Sequence, residues 1–355
     1  MKEILKTHFE RYPKMQIRDM VKLIYQNEFG GGHLVGDELK SFGMLEEEYR
    51  NLCSSAASYY KDNLFEDIGN NLYRLHLYPL ADTTLSLETL NKFFVNTANS
   101  YRGNIESFLK KLDVLVSMCR NNELPFSPAE AEAFVTEYRA RGCPPLSHSD
   151  VYRKAYSPAY RIVQKEYRDY FGLFCRIDEL LKHKDVVTVA IDGNCCAGKS
   201  TLADLVSKVY DCNVFHMDDF FLTPELRTAE RLSEPGGNVD YMRFRNEVIS
   251  GIKSKKEFKY QKFDCGKMAL TEWVHVTPKR LNIVEGSYSM HLVLSDNYDL
   301  KVFMSAGENV QAERVLKRNG PELYKKFVEL WIPLENRYFR ELKIKEKCDL
   351  VYMSG

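Results

Sequence analysis

The run Val186-Val187-Thr188-Val189-Ala190-Ile191 leads directly into Gly193-Asn194-Cys195-Cys196-Ala197-Gly198-Lys199-Ser200, and this junction restricts the fold more than any other stretch. A short β-branched apolar run is typical of a strand buried on both faces, as in a parallel sheet. The following octet satisfies GxxxxGK(S/T) in full. A glycine-bearing loop between strand and helix turns its backbone N–H groups inward around phosphate oxygens. The helix then presents its positive end to the same oxygens. Gly193 to Ser200 with Thr201 are therefore expected to hold ATP, with Lys199 on the β- and γ-phosphates and the Ser200 hydroxyl on Mg2+.

Beyond the loop, helix-like and strand-like segments alternate: 202–210, 213–216, 241–252, 280–284, 300–304, 308–317 and 350–353. That alternation predicts an α/β domain with a parallel sheet covered by helices. Upstream the character differs. Ile105, Phe108, Leu109, Leu112, Leu115, Val116 and Cys119 form one apolar stripe at helical spacing. Ser127, Pro128 and Glu130 spell a capping box at the start of another helix. A long helical pattern runs from about Pro158 to Lys182, and Tyr73–Leu77 alternates weakly, as a short strand would. The expected organisation is a mostly α-helical domain over 1–183, preceding a P-loop domain over 184–355.

The chain has 355 residues, with 50 basic against 50 acidic side chains and no long run of one sign. This disfavours nucleic acid as a partner. Nine cysteines occur without paired CxxC spacings, and no apolar stretch is long enough to span a bilayer. The expected compartment is the cytoplasm, without membrane association; oligomeric state is left open.

Val214-Phe215-His216-Met217-Asp218-Asp219-Phe220-Phe221 would place two carboxylates at the C-terminal end of a second strand, the edge where open α/β sheets bind ligands. A hydroxyl acceptor needs a base to orient it and take its proton, and a carboxylate there suits that task. The bland alternative is an Asp pair capping the next helix.

A P-loop followed about twenty residues later by a strand ending in Asp-Asp-Phe-Phe resembles the uridine kinase, phosphoribulokinase and nicotinamide riboside kinase superfamily. The resemblance covers residues 186–355 only. It implies Asp218 as catalytic base. Asn238-Val239-Asp240-Tyr241 resembles the stretch whose Asp binds ribose hydroxyls, which makes Asp240 and Tyr241 candidate acceptor contacts; a helix cap is the competing role for Asp240. Ile283-Val284-Glu285-Gly286 resembles the strand whose Glu lies near Mg2+, and Arg314 and Arg318 resemble the lid arginines that neutralise the transferred phosphoryl group. Two departures stand out. Lys262–Met268 carries neither the Tyr nor the His of the pyrimidine-recognising segment, and the lid lacks a dense arginine cluster. The resemblance thus implies a phosphotransferase with an alcohol acceptor, most simply a nucleoside or other ribose-bearing metabolite. The alternatives are another sugar or vitamin-type acceptor such as nicotinamide riboside, and an ATP-binding regulatory switch.

In the N-terminal half, 27–33 (Asn-Glu-Phe-Gly-Gly-Gly-His) and 147–161 are more polar than a helical core needs. With Arg74 and His76 they offer groups suited to an anionic ligand, against the simpler reading of a helix end and a solvated face.

Overall fold

The computed structural model describes residues 1–31, 35–52, 57–60 and 62–354. The chain divides into two units, Met1–Cys175 and Arg176–Gly355.

In the first unit, Asn70 and Asn71 both adopt positive φ (54° and 58°). They form the tight two-residue turn that Asn tolerates, and it folds β1 (Phe65–Gly69) back on β2 (Leu72–His76). β3 (Tyr160–Gln164) pairs antiparallel on the other side of β2, with Arg74 opposite Ile162 and His76 opposite Tyr160. β2 is buried at every position, so Arg74 and His76 face the interior. Around this sheet are helices α1 (Lys2–Arg11), α2 (Ile17–Phe29), α3 (Glu38–Arg50), α4 (Ala57–Tyr60), α5 (Leu87–Ser100), α6 (Ile105–Arg120), α7 (Pro128–Ala140), α8 (Asp150–Tyr156) and α9 (Lys165–Asp169).

The apolar stripe of α6 buries Phe108, Leu112, Leu115, Val116 and Cys119, as its spacing implies, while Ile105 stays exposed. α7 begins at Pro128, yet Ser127 makes no side-chain capping bond. The continuous helix expected from Pro158 is corrected: Tyr160–Gln164 is a strand, and helix resumes only at α9 and α10 (Phe171–His183). Ile162 and Val163 suit either period in isolation, and the free edge of β2 decides for a strand.

The second unit has five parallel strands in the order β10-β9-β4-β8-β5: β4 (Val187–Gly193), β5 (Cys212–His216), β8 (Leu281–Glu285), β9 (Leu300–Ala306) and β10 (Leu350–Ser354). β4 is buried throughout. An antiparallel hairpin, β6 (Phe258–Asp264) and β7 (Ala269–Val276), stands apart from this sheet. Helices α11 (Lys199–Ser207), α12 (Ala229–Ser233), α13 (Tyr241–Phe244), α14 (Ser250–Ser254), α15 (Glu308–Lys326, broken at Gly320) and α16 (Ile332–Glu341) complete it. This is the parallel-sheet P-loop architecture expected from the junction at residue 191. No helix among the described residues is long and apolar enough to cross a membrane.

Candidate active site

β4 delivers Asp192 and Gly193 to the C-terminal edge of the sheet. At Gly193 φ is 137°, and a Cβ would lie 1.9 Å from the Met304 carbonyl oxygen, so no side chain fits. Cys196 (φ 57°) and Gly198 (φ 92°) take left-handed conformations, which curl the loop before α11 starts at Lys199. The Lys199 side chain is buried and folds back, with Nζ 2.9 Å from the carbonyl oxygens of both Gly193 and Asn194 and 3.2 Å from Ser287 Oγ. A buried Lys amine whose hydrogen bonds go to two carbonyls and a hydroxyl could also meet an anionic phosphate.

Parallel register brings Glu285 beside Ile191 on one side and His216 on the other. Both Glu285 carboxylate oxygens lie 3.2 Å from Ser200 Oγ, and His216 Nδ1 is 2.5 Å from Oε1. A hydroxyl and a carboxylate oxygen side by side are the hard donors Mg2+ accepts, with the rest of its shell left to water and phosphate. The His216 pKa is raised, chiefly by its bond to Glu285.

The chain then enters a 3₁₀ turn, Met217–Phe220. Asp218 is open to solvent, but the protein mass around it and then the Glu285 charge push its pKa up, while Lys199, Arg318 and His216 pull it down. Asp219 points elsewhere, receiving the Tyr260 hydroxyl at 3.4 Å. The Asp240 N–H donates to the Phe220 carbonyl, which draws Asp240 next to this turn. Its side chain caps α13 through the Arg243 N–H at 3.0 Å, with Arg243 Nε 3.8 Å from the other oxygen. Tyr241 is half-buried: its ring stacks on His291 at 3.9 Å, with Arg231 on it at 3.7 Å, and its hydroxyl donates to Glu234.

The two arginines of α15 part ways. Arg314 Nη1 donates to the Cys196 carbonyl (3.2 Å) and Ser354 Oγ (2.8 Å), which ties it to the loop itself. Arg318, one turn on and exposed, extends its charge to Asp218. Of the loop residues, Asn194 is anchored to the Met304 carbonyl, Ala197 is buried, and Thr201 is exposed. Lys262–Met268 forms the end of β6 and the hairpin turn, closed by Asp264 Oδ1 accepting the Gly266 and Lys267 N–H groups. That turn holds Cys265 within electrostatic reach of Asp218.

No protein-family model matches this chain, and no curated protein matches it. Among solved structures it is similar to a possible uridine kinase from Bacillus stearothermophilus, at 19% identity over 53% of this chain and 99% of that one, with a TM-score of 0.41. It is also similar to D-glycerate 3-kinase from Cryptococcus neoformans var. grubii, at 16% identity over 53% and 94% of the two chains, with a TM-score of 0.39.

Three site residues escape a reading of motifs. Asp192 is fully buried and accepts the Met290 N–H (2.9 Å) and the Tyr338 hydroxyl (2.8 Å), with its pKa raised to about 6 chiefly by burial. Ser287 links Lys199 to Glu335, at 3.2 and 2.7 Å. Glu335 itself accepts the Cys195 N–H. Asp192 directly precedes the loop and could have been suspected on that ground; Ser287 and Glu335 lie in stretches with no spacing rule.

Proposed function

We propose that the second unit is an ATP- and Mg2+-dependent kinase that phosphorylates a hydroxyl group of a small molecule, most simply a nucleoside or other ribose-bearing metabolite. The observation that carries this reading is the place of Asp218: a solvent-open carboxyl in the turn that directly follows β5, two residues beyond the His216 that bonds Glu285. A nucleotide switch has no use for such a base, whereas an acceptor hydroxyl requires one.

When bound, Mg2+ and ATP supply the electrophilic γ-phosphorus and neutralise charge on the β- and γ-oxygens. The protein's part is positioning and charge. The backbone N–H groups of Cys196, Gly198 and Lys199 and the Lys199 ammonium orient the phosphates; Ser200 and Glu285 furnish oxygen donors to the metal. Asp218 orients the acceptor O–H and takes its proton as the new O–P bond forms and the bond to the β-phosphate oxygen breaks. Arg318, free of other ion pairs among the described residues, is the arginine suited to charge on the transferred group; Arg314 shapes the loop. Asp240 and Tyr241 are the acceptor contacts in this reading, with Asp240 adjacent to the Asp218 turn through its bond to Phe220.

The test is ATP consumption measured against a panel of nucleosides, sugars and vitamins. Turnover that depends strictly on one added alcohol supports the kinase, and turnover indifferent to all of them supports a regulatory ATPase.

A further inference from the structure

The polar passage at 147–161 forms a hydrogen-bonded chain inside the first unit, and every proton along it can be assigned by elimination. Asp19 is fully buried. Burial acts to raise its pKa, but bonds from His148 and Ser149 outweigh this and hold it ionised. It already receives the Gln16 and Ser149 N–H groups and the Ser149 hydroxyl, all at 2.6–3.0 Å. A carboxylate only accepts, so His148 Nδ1, 3.0 Å away, carries the hydrogen. His148 is neutral, its pKa lowered to about 4 chiefly by burial, so Nε2 offers a lone pair. The Tyr160 hydroxyl, 2.7 Å from Nε2, must therefore donate to it.

The other end is fixed in the same way. Arg74, completely buried, only donates, and its Nε and Nη2 meet Gln26 Oε1 at 3.1 and 2.6 Å. Gln26 Nε2 thus faces the Tyr160 oxygen and donates to it at 2.9 Å. The Arg74 guanidinium also lies 4.8 Å from the centre of the Tyr160 ring. The Arg74 guanidinium, itself paired with Glu66, stands behind the phenol oxygen, and the Asp19 carboxylate stands behind the imidazole. This is the order of a carboxylate–imidazole–hydroxyl triad; burial holds the Tyr160 pKa above that of a free phenol, so its proton leaves only as His148 takes it. Asp19, His148, Gln26 and Arg74 are all buried, while Tyr160 is partly open.

A structural network has no need of this one-way order, nor of the open valence beside it. His76, whose ring is 5.9 Å from that of Tyr160, buries Nδ1 with no hydrogen-bond partner among the described residues. Lys22, one turn of α2 from Asp19, makes no ion pair among the described residues; its amine donates only to the Leu146 carbonyl.

We propose that the first unit contains a second reaction centre, with Tyr160 as nucleophile, His148 as its general base and Asp19 as the group orienting His148, acting on a small acyl compound that carries an anionic group recognised by Lys22. In the step, the Tyr160 oxygen bonds to the acyl carbon and its proton passes to His148 Nε2. The bond to the leaving group breaks with its electron pair, and the leaving group recovers that proton.

Sulfonyl fluorides trap such an oxygen as a stable S–O bond with loss of fluoride. The full-length protein would be treated with 4-(fluorosulfonyl)benzoate or with 4-(2-aminoethyl)benzenesulfonyl fluoride, and the labelled peptides mapped by mass spectrometry. Tyr160 should react about 10²-fold faster than the exposed Tyr59, and His148→Gln should remove most of that advantage. The carboxylated reagent should outpace the aminated one. Tyr160→Phe, which keeps the ring, should abolish the labelled site without changing the melting temperature by more than a few degrees. Labelling of Tyr160 no faster than Tyr59 in the wild-type protein overturns the proposal even where His148→Gln does not fold. An unchanged rate in folded His148→Gln overturns the relay, and equal rates with the two reagents overturn the anionic class.

Discussion

Glu335 Oε2 receives the Cys195 backbone N–H at 2.9 Å, so an acid from α16 occupies a donor of the phosphate loop. Its other oxygen takes the Ser287 hydroxyl at 2.7 Å. Glu335→Ala leaves the Cys195 N–H without an acceptor in a part-buried setting, while the Ser287 hydroxyl keeps the Gly193 carbonyl at 3.1 Å. The second unit should lose about 1–3 kcal/mol of stability, read from urea unfolding in the absence of nucleotide. A loss below a few tenths of a kcal/mol would mean that water replaces the carboxylate at no cost.

Lys199→Ala removes the one buried ammonium of the loop. Phosphate transfer should fall at least about 10²-fold, the scale of losing a charged donor at a reacting phosphoryl group, and equilibrium dialysis with ATP should show weaker binding. Unchanged turnover would sink the assignment of the loop as a triphosphate site.

For Asp218, the substitution to Asn keeps shape and removes the base. ATP affinity should hold while kcat falls by about 10²–10⁴-fold. If the variant transfers phosphate at the wild-type rate, the base is another group, and Asp219 is the next to test.

Asp240 has a visible structural duty as the cap of α13. Asn also caps well, so Asp240→Asn should cost only a few tenths of a kcal/mol, whereas Asp240→Ala should cost about 1 kcal/mol. A contact to ribose hydroxyls predicts, in addition, that Asp240→Asn lowers kcat/KM for every accepted riboside alike. With no pyrimidine-reading histidine in 262–268, uridine should not be strongly preferred over cytidine or nicotinamide riboside. A stability change with unaltered kcat/KM would leave Asp240 a cap and nothing more.

Glu66 lies in the first unit against the buried Arg74, 3.0 Å from Nη1. Burial acts to raise its pKa, but His76, Arg74 and His8 outweigh this and hold it far below the ordinary carboxylate range. A carboxyl depressed on folding contributes stability that is present above its unfolded pKa, about 4.3, and is lost as pH falls further. Glu66→Gln should cost about 3–5 kcal/mol at pH 7, because Arg74 loses its counter-charge. It should also flatten the acid limb of the stability profile below about pH 4. Parallel acid limbs in the two proteins would contradict the pairing.

The phosphate loop was legible because its constraints are local: eight residues in fixed order, entered from a β-branched strand. The strand before Asp218 was legible for the same reason, though it ends at His216 and both carboxylates stand in the 3₁₀ turn beyond it. β3 was not, since Tyr160–Gln164 shows no helix-breaking residue and its pairing with Leu72–His76 is a contact across some ninety positions. Glu335 meets Cys195 across 140 positions, and His148 meets Asp19 across 129. No periodicity announces such pairs. Of the Gly-rich passage, Asn27 and Glu28 prove structural: Lys111 reaches both at 2.5–2.6 Å, and Glu28 also receives the Asn104 N–H. Gly32 and His33 lie outside the described residues.

The hairpin turn leaves one thing of practical use. Cys265 is an exposed thiol within the electrostatic field of Asp218, in the turn between β6 and β7. Its rate of alkylation therefore reports on the neighbourhood of Asp218 without any phosphate being transferred. An acceptor that settles against Asp218 would slow that rate in the absence of ATP, which turns a single cysteine into a direct assay for ligands at this edge of the sheet.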